Sequence, residues 1–318
     1  MLTGLGLVAV GVALLYYGAN LLVRGASLLA AGFGVAPAVV GLTVVAFGTS
    51  LPELVVSVTA ALRGSPDIAL GNVVGSNIAN VGLILGLGAC LRAMAVEFTL
   101  LKREVPMGLG AVALVVALSA DGVLGRGDGL ILLAAFCGFL YWSVLVERLA
   151  PEGVQETYGR KAVGPGEKGK DCLCAVCGLA GVLLGGHWLV EGGVAVAAGL
   201  GVPAVVIGLT VIAVGTSLPE LAASLVAMAR GENDIGVGNV LGSNLFNLLG
   251  ILGVAALVHP IQVPDTFFRF QYPVLAAFTL ALLPIMRVGL GISRAEGALL
   301  LGCYGAYVAA LFLVPAAR

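Results

Sequence analysis

Apolar stretches long enough to cross a bilayer alternate with short charged connectors along the chain. Ten stand out, at residues 2–23, 36–62, 68–91, 104–120, 128–147, 172–190, 203–229, 235–258, 268–286 and 296–315. About 20 apolar residues make a helix that spans the hydrocarbon core. The pattern therefore predicts an all-α polytopic membrane protein with ten transmembrane helices. No basic segment precedes the first stretch, and no small-residue cleavage site stands out. It reads as a retained helix rather than a signal peptide. The longest charged connector, Glu147–Asp171, contains Pro151, Gly164, Pro165 and Gly166. It reads as a cytoplasmic linker too short for a folded domain. The predicted organisation is a five-helix group at 1–149, a linker at 150–171 and a second five-helix group at 172–318.

Composition agrees. Hydrophobic residues make up 60% of the chain and charged residues 10%, with a mean hydropathy of +1.10. Soluble domains carry about 25% charged residues. A net charge of −1 offers no basic surface for nucleic acid. The basic residues orient the chain. With the N-terminus outside, Arg24, Arg92, Lys102, Arg103, Arg148, Arg160, Lys161, Lys168, Lys170, Arg230, Arg287 and Arg294 fall inside. Arg63, Arg126, Arg269 and Arg318 fall outside. A split of twelve to four obeys the positive-inside rule, so both termini are expected outside.

The polar residues that interrupt the apolar stretches recur. GTSLPE occupies Gly48–Glu53 and again Gly215–Glu220. Shifted by 167, Gly41–Gly86 aligns without a gap on Gly208–Gly253, and 28 of 46 positions are identical. GNVVGSNIAN meets GNVLGSNLFN, and the connector Arg63-Gly64…Asp67 meets Arg230-Gly231…Asp234. The two copies, at 36–91 and 203–258, lie five spans apart. Five is odd, so the second copy crosses the membrane in the opposite sense. The expected fold is two inverted five-helix repeats, a signature of secondary transporters.

The repeats carry the chemistry. Glu53 and Glu220 lie deep in their spans, where a carboxylate costs about 3 kcal/mol and faces a partner or a watery path. Pro52 and Pro219 lack an N–H and disturb the preceding turn. That is expected to free the carbonyls of Gly48 and Gly215, and those of Ala46 and Ala213 near the kink. Thr49, Ser50 and Glu53 are expected on one helical face, as are Thr216, Ser217 and Glu220. Ser76 with Asn80, and Ser243 with Asn247, are four residues apart and share a face of the next span. Asn72, Asn77, Asn239 and Asn244 add polar groups. Carboxylate, hydroxyl, amide and carbonyl oxygens without sulfur or imidazole suit hard cations such as Na⁺, Ca²⁺ or Mg²⁺.

GTSLPE followed by GNVVGSNIAN, with inverted second copies, resembles the two α-repeats of the sodium/calcium exchanger family, within the cation/Ca²⁺ antiporter superfamily. The resemblance implies a ten-helix prokaryotic member in the plasma (inner) membrane. It implies secondary antiport of Ca²⁺ against Na⁺ by alternating access, with three Na⁺ for each Ca²⁺. By motif position it implies ligands at Ala46, Thr49, Ser50, Glu53, Ser76 and Asn80, and at Ala213, Thr216, Ser217, Glu220, Ser243 and Asn247. Glu53 and Glu220 would bridge the central Ca²⁺. Spans one and six would slide as a gate, which suits their glycines (Gly25, Gly32, Gly34; Gly185, Gly186, Gly192, Gly193, Gly199, Gly201). Some relatives carry Asp at the position of Asn247. Asn there leaves two carboxylates, which favours electrogenic exchange and makes K⁺ dependence less expected.

Alternatives stay open at this point. The same two glutamates would serve a Ca²⁺/H⁺ antiporter, and an oxygen-lined path would serve a cation channel. No Ser–His or metal-ligand constellation supports an enzyme. No cofactor and no protein partner are implied; the expected partners are Ca²⁺, Na⁺ and the lipid bilayer. Cys172, Cys174 and Cys177 lack a fourth metal ligand nearby. Cys90, Cys137 and Cys303 read as apolar filler. His187 and Glu191 are expected to form a structural pair, and Gly125-Arg126-Gly127-Asp128 matches an intramembrane-protease motif by coincidence.

Overall fold

The computed structural model describes residues 2–33, 35–96, 98, 100–148, 168–200, 215–287 and 289–313. Helix dominates. In chain order the α-helices are α1 (Leu2–Phe33), α2 (Pro37–Val40), α3 (Ala46–Thr49), α4 (Leu51–Leu62), α5 (Pro66–Ala79), α6 (Gly86–Leu91) and α7 (Val105–Leu118). They continue as α8 (Arg126–Arg148), α9 (Lys168–Gly199), α10 (Leu218–Ala229), α11 (Asn233–Leu245), α12 (Leu252–Val258), α13 (Tyr272–Arg287) and α14 (Arg294–Leu313). Wider π-helical turns join several of them: Gly41–Val45, Asn80–Leu85, Leu100–Glu104, Phe246–Ile251 and Phe267–Gln271.

Six described helical stretches are long and apolar enough to cross a membrane: Leu2–Phe33, Ile68–Leu91, Gly169–Gly199, Asn233–Val258, Phe267–Arg287 and Arg294–Leu313. The broken stretch made by Pro37–Thr49 and Leu51–Leu62 is a seventh. α7 and α10 are shorter, and most of the span expected at 203–229 before α10 lies outside the described residues, as does most of the linker. α1 continues to Phe33, past the end expected at residue 23. Arg24 does not stop it, because Ala26 and Ala30 beyond it are still buried.

Among the described residues four two-residue strands, which the hydropathy pattern did not predict, pair outside the helices. β1 (Met94–Ala95) pairs with β4 (Gly291–Ile292), and β2 (Val123–Leu124) with β3 (Ile261–Gln262), both antiparallel. The turns beside them use Gly122 and Gly289, at φ 85° and 75°. A left-handed backbone suits glycine because it has no Cβ. The two positions are 167 residues apart, so the repeat extends beyond its conserved core.

The described helices gather into two compact units, each drawing on both halves of the sequence. One takes Met1–Pro52 and Ala150–Asn239, the other Glu53–Leu149 and Val240–Arg318.

In the first unit α1 and α9 pack antiparallel along a seam of glycine. Gly4, Gly11, Gly18 and Gly25 recur every seven residues on α1, as do Gly178, Gly185 and Gly192 on α9. Seven residues are about two turns, so each series lines one strip of its helix. A Cβ on Gly11 would lie 2.9 Å from the Gly185 carbonyl oxygen, and one on Gly18 would lie 3.0 Å from that of Gly178. One on Gly192 would lie 2.6 Å from the carbonyl oxygen of Gly4. Only glycine lets the backbones come this close, and close approach is what lets helices gain packing energy in lipid. Beside the seam, Leu15, Ala19, Leu22 and Val23 pack with Val182, Ala223, Ala227 and Ile235 as the unit's buried core.

In the second unit, glycine pairs again set the close crossings. Gly86 of α6 faces the Gly297 carbonyl of α14, and Gly253 of α12 faces the Gly129 carbonyl of α8; in each case an added Cβ would stand 3.1 Å from the oxygen. Gly86 and Gly253 are counterparts in the repeat, so one packing solution is used twice.

Candidate cation site

The chain breaks its helices at the repeated motif. Ser50 stands between α3 and α4 with φ −83° and ψ 8°, and Ser217 precedes α10 with φ −88° and ψ 6°. Both lie in the sparsely populated bridge region. Pro52 and Pro219 are the second residues of the new helices, where a missing N–H costs nothing. So the proline does not kink a continuous helix, as the one-face expectation assumed; it opens a new one. Glu53 and Glu220 thereby fall in the first turns of α4 and α10. The positive end of a helix dipole favours a carboxylate there.

In the first unit, Glu220 is 1% exposed, and its Oε1 accepts a hydrogen bond of 2.8 Å from the Ser50 hydroxyl. Its Oε2 is buried with no hydrogen-bond partner among the described residues. Thr49 is buried beside it in sequence; its hydroxyl reaches Asn239 Oδ1 at 3.3 Å and the Ala46 carbonyl at 3.4 Å. Ser50 N–H also donates to that carbonyl, at 3.1 Å. The Ala46 carbonyl is therefore engaged at the helix end rather than freed. Ser217 is buried, and the half-buried Thr216 has a hydroxyl without a partner among the described residues. Ala213 lies outside the described residues.

In the second unit, Glu53, Ser76, Asn80, Ser243 and Asn247 are all buried. Asn80 begins the π turn Asn80–Leu85, and Asn247 lies in the matching turn Phe246–Ile251. Such wide turns gather at functional sites. Asn80 Nδ2 donates to Asn244 Oδ1 at 3.0 Å. That leaves Asn80 Oδ1, Asn247 Oδ1 and Ser243 Oγ buried without described partners. Buried polar atoms without partners are costly. Here all three are oxygens, the donor type that a hard cation takes.

Two supporting serines were missed in the sequence. Asn239 Nδ2 donates to Ser224 Oγ at 2.8 Å in the first unit, and Asn72 Nδ2 donates to Ser57 Oγ at 3.0 Å in the second. Ser57 and Ser224 each stand four residues after a glutamate in both repeats, and that spacing was the available signal. The bonds are repeat counterparts and tie α5 to α4 and α11 to α10. Elsewhere, His187 Nε2 lies 3.7 Å from Glu191 Oε2, as expected of a local pair. The cysteines at 172, 174 and 177 are free thiols on α9. Among the described residues no group of three His, Cys, Asp or Glu side chains is placed to hold a metal ion.

Comparison with known proteins fits this geometry. The family model described as sodium/calcium exchanger protein matches residues 3–145 and 171–313. The sodium/calcium exchanger MaX1 of Methanosarcina acetivorans is 34% identical over 311 residues, covering 87% of this chain and 89% of its own. The inner membrane protein YrbG of Escherichia coli is 36% identical over 282 residues, covering 87% and 86%. A solved structure of the sodium-calcium exchanger NCX_Mj, soaked with Na⁺ and Ca²⁺, superposes with a TM-score of 0.85 at 34% identity, covering 98% of this chain and 99% of that one. The chain is an integral membrane protein that belongs to the sodium/calcium exchanger family, whose members are transporters and not enzymes.

Proposed function

We propose that the chain exchanges Ca²⁺ for Na⁺ across the prokaryotic plasma membrane by alternating access, with three Na⁺ moving against each Ca²⁺ and net charge crossing. The observation that carries this reading is Glu220: a fully buried carboxylate at a helix start, held through one oxygen by Ser50, with the other oxygen left for a cation. Glu53 is its repeat counterpart, buried at the start of α4. The two carboxylates carry the charge that selects Ca²⁺. The hydroxyls of Thr49, Ser50, Thr216, Ser217, Ser76 and Ser243, the carbonyls of Ala46 and Ala213, and the amides of Asn80 and Asn247 supply neutral oxygen for Ca²⁺ and Na⁺. Neutral oxygens let a site release its ion, which a carrier must do in each cycle.

Ten helices in two inverted repeats at 1–149 and 172–318, with both termini outside, complete the reading. Its supports are the odd spacing of the repeats, the twelve-to-four split of basic residues and the matched serine breaks. A carrier built from inverted halves can present one ligand set to either side in turn. The glycine seam holds α1 against α9 along its length, which suits the two helices moving together as the gate.

Radiolabelled Ca²⁺ uptake into proteoliposomes tests the proposal. An outward Na⁺ gradient drives uptake, and the membrane potential alters its rate. Uptake driven by a pH gradient and indifferent to Na⁺ would mean a Ca²⁺/H⁺ antiporter instead. Uptake equally fast with no exchangeable ion inside would mean a channel.

A further inference from the structure

A further buried carboxylate lies inside the second unit, apart from the exchange residues. Glu104 ends the π turn Leu100–Glu104 ahead of α7 and is 8% exposed. Its Oε2 and the Oδ1 of the fully buried Asn77 have no hydrogen-bond partner among the described residues. Both side chains line one small cavity with Asn244 and Thr279, and Leu241 and Leu282 help to wall it. Its volume of about 10 Å³ is room for one water-sized body.

Charge decides what fits there. Ionisation of Glu104 against apolar walls calls for a counter-charge; among the described residues no Lys, Arg or His lines the cavity, and the neighbouring Arg103 is exposed and acts on Glu104 only from outside it. A water molecule could satisfy the two oxygens but not the charge. A divalent ion would leave one positive charge in excess. A small monovalent cation balances Glu104. Asn77 Oδ1 and the Thr279 hydroxyl, which donates to the Leu275 carbonyl at 2.9 Å and keeps its lone pairs, supply the neutral oxygens. The repeat offers a contrast. The counterpart of Glu104 is Gln271, a neutral amide whose Oε1 accepts from the Tyr307 hydroxyl at 2.9 Å. Only the first half therefore has a charge to balance at this position.

We propose that the Glu104–Asn77–Asn244–Thr279 cavity binds one Na⁺, separately from the exchange residues. Asn244 joins it to the transport path, because its Oδ1 also holds the Asn80 amide. Occupancy of the cavity fixes Asn244 and through it Asn80.

The test uses the purified full chain in detergent with E53Q/E220Q, which removes both exchange carboxylates; E104Q and T279V in that background then separate Na⁺ held by the cavity from Na⁺ held by the neutral oxygens of the exchange residues. Retention of radiolabelled Na⁺ is measured against Na⁺ concentration. One saturable Na⁺ is expected, with affinity falling about tenfold or more when E104Q removes the charge-assisted contacts. T279V is expected to weaken it several-fold, and serves as the second variant should E104Q elute as aggregate. Na⁺ retention unchanged by both variants overturns the proposal. So does the absence of saturable Na⁺ in the E53Q/E220Q chain. In that case an infrared band of a protonated carboxyl, removed by E104Q, would assign the cavity to a proton.

Discussion

Gly185→Ala tests the seam between α1 and α9. A Cβ at Gly185 would lie 2.6 Å from Leu15 N and 2.9 Å from the Gly11 carbonyl oxygen, where ordinary contact starts at 3.4 Å. The shortfall at Leu15 is 3.4 − 2.6 = 0.8 Å, and both obstacles are backbone, so no side chain can swing away. The helices must part. Overpacking of this kind costs about 1–3 kcal/mol. Alanine returns about 0.5–1 kcal/mol through its better helix propensity. The net expectation is a loss of up to about 2.5 kcal/mol, from the difference of those two figures. Gly6→Ala is the control: it lies on the same helix pair, yet nothing stands within 4 Å of its Cβ, so only the propensity gain remains. Thermal unfolding of the purified proteins in one detergent compares the two. Gly185→Ala should melt below the parent chain and Gly6→Ala at or above it. Equal melting of the two variants would refute the seam as the reason for the glycine spacing.

Four further outcomes are expected. Glu53→Gln and Glu220→Gln each abolish Na⁺-driven Ca²⁺ uptake in proteoliposomes while eluting as folded protein; Ca²⁺ transport retained by both single variants would remove them from the ligand set. Ser50→Ala removes the 2.8 Å bond to Glu220, and a hydrogen bond to a charged group is worth about 1.5–3 kcal/mol, so Ca²⁺ affinity measured by titration should change by about tenfold or more. Ser224→Ala leaves the buried Asn239 amide without its 2.8 Å acceptor and should lower stability by about 1–3 kcal/mol, read as a lower melting temperature with the Ca²⁺:Na⁺ ratio unchanged. Asn247→Asp adds a third carboxylate and should make Ca²⁺/Ca²⁺ exchange respond to an imposed membrane potential.

The sequence made the duplicated motif, the break beside it and the buried glutamates legible, because lipid penalises polar groups heavily enough that each must have a reason. It did not reveal where the break falls. Proline marks the neighbourhood, but Ser50 and Ser217 take the non-helical backbone, and the prolines simply start the next helices. The two-residue strands carry no period and could not be read. The glycine seam could have been: spacing of seven was present in Gly4, Gly11, Gly18 and Gly25, but glycine abundance hid the register until α9 was set against α1. Glu104 was hidden by its neighbours. Lys102-Arg103-Glu104 reads as a charged end of a span, and only the fold turns that carboxylate inward while Lys102 and Arg103 stay exposed.

Charge balance then says where voltage acts, on the proposed stoichiometry. Both repeats place asparagine, Asn80 and Asn247, where a third acid would raise the count. With Glu53 and Glu220 ionised, the Ca²⁺-loaded ligand set is neutral, and the set loaded with three Na⁺ carries one positive charge. Only the second crosses the membrane field as a net charge, and about 2.3 kcal/mol per charge is at stake for each 100 mV. Ca²⁺/Ca²⁺ exchange, which uses the neutral state alone, should therefore ignore the potential, while Na⁺-coupled exchange follows it. An aspartate at 247 reverses the assignment: the three-Na⁺ state becomes neutral and the Ca²⁺ state carries one negative charge. The net charge moved per cycle is the same in both proteins. What the asparagine chooses is the half of the cycle that feels the membrane.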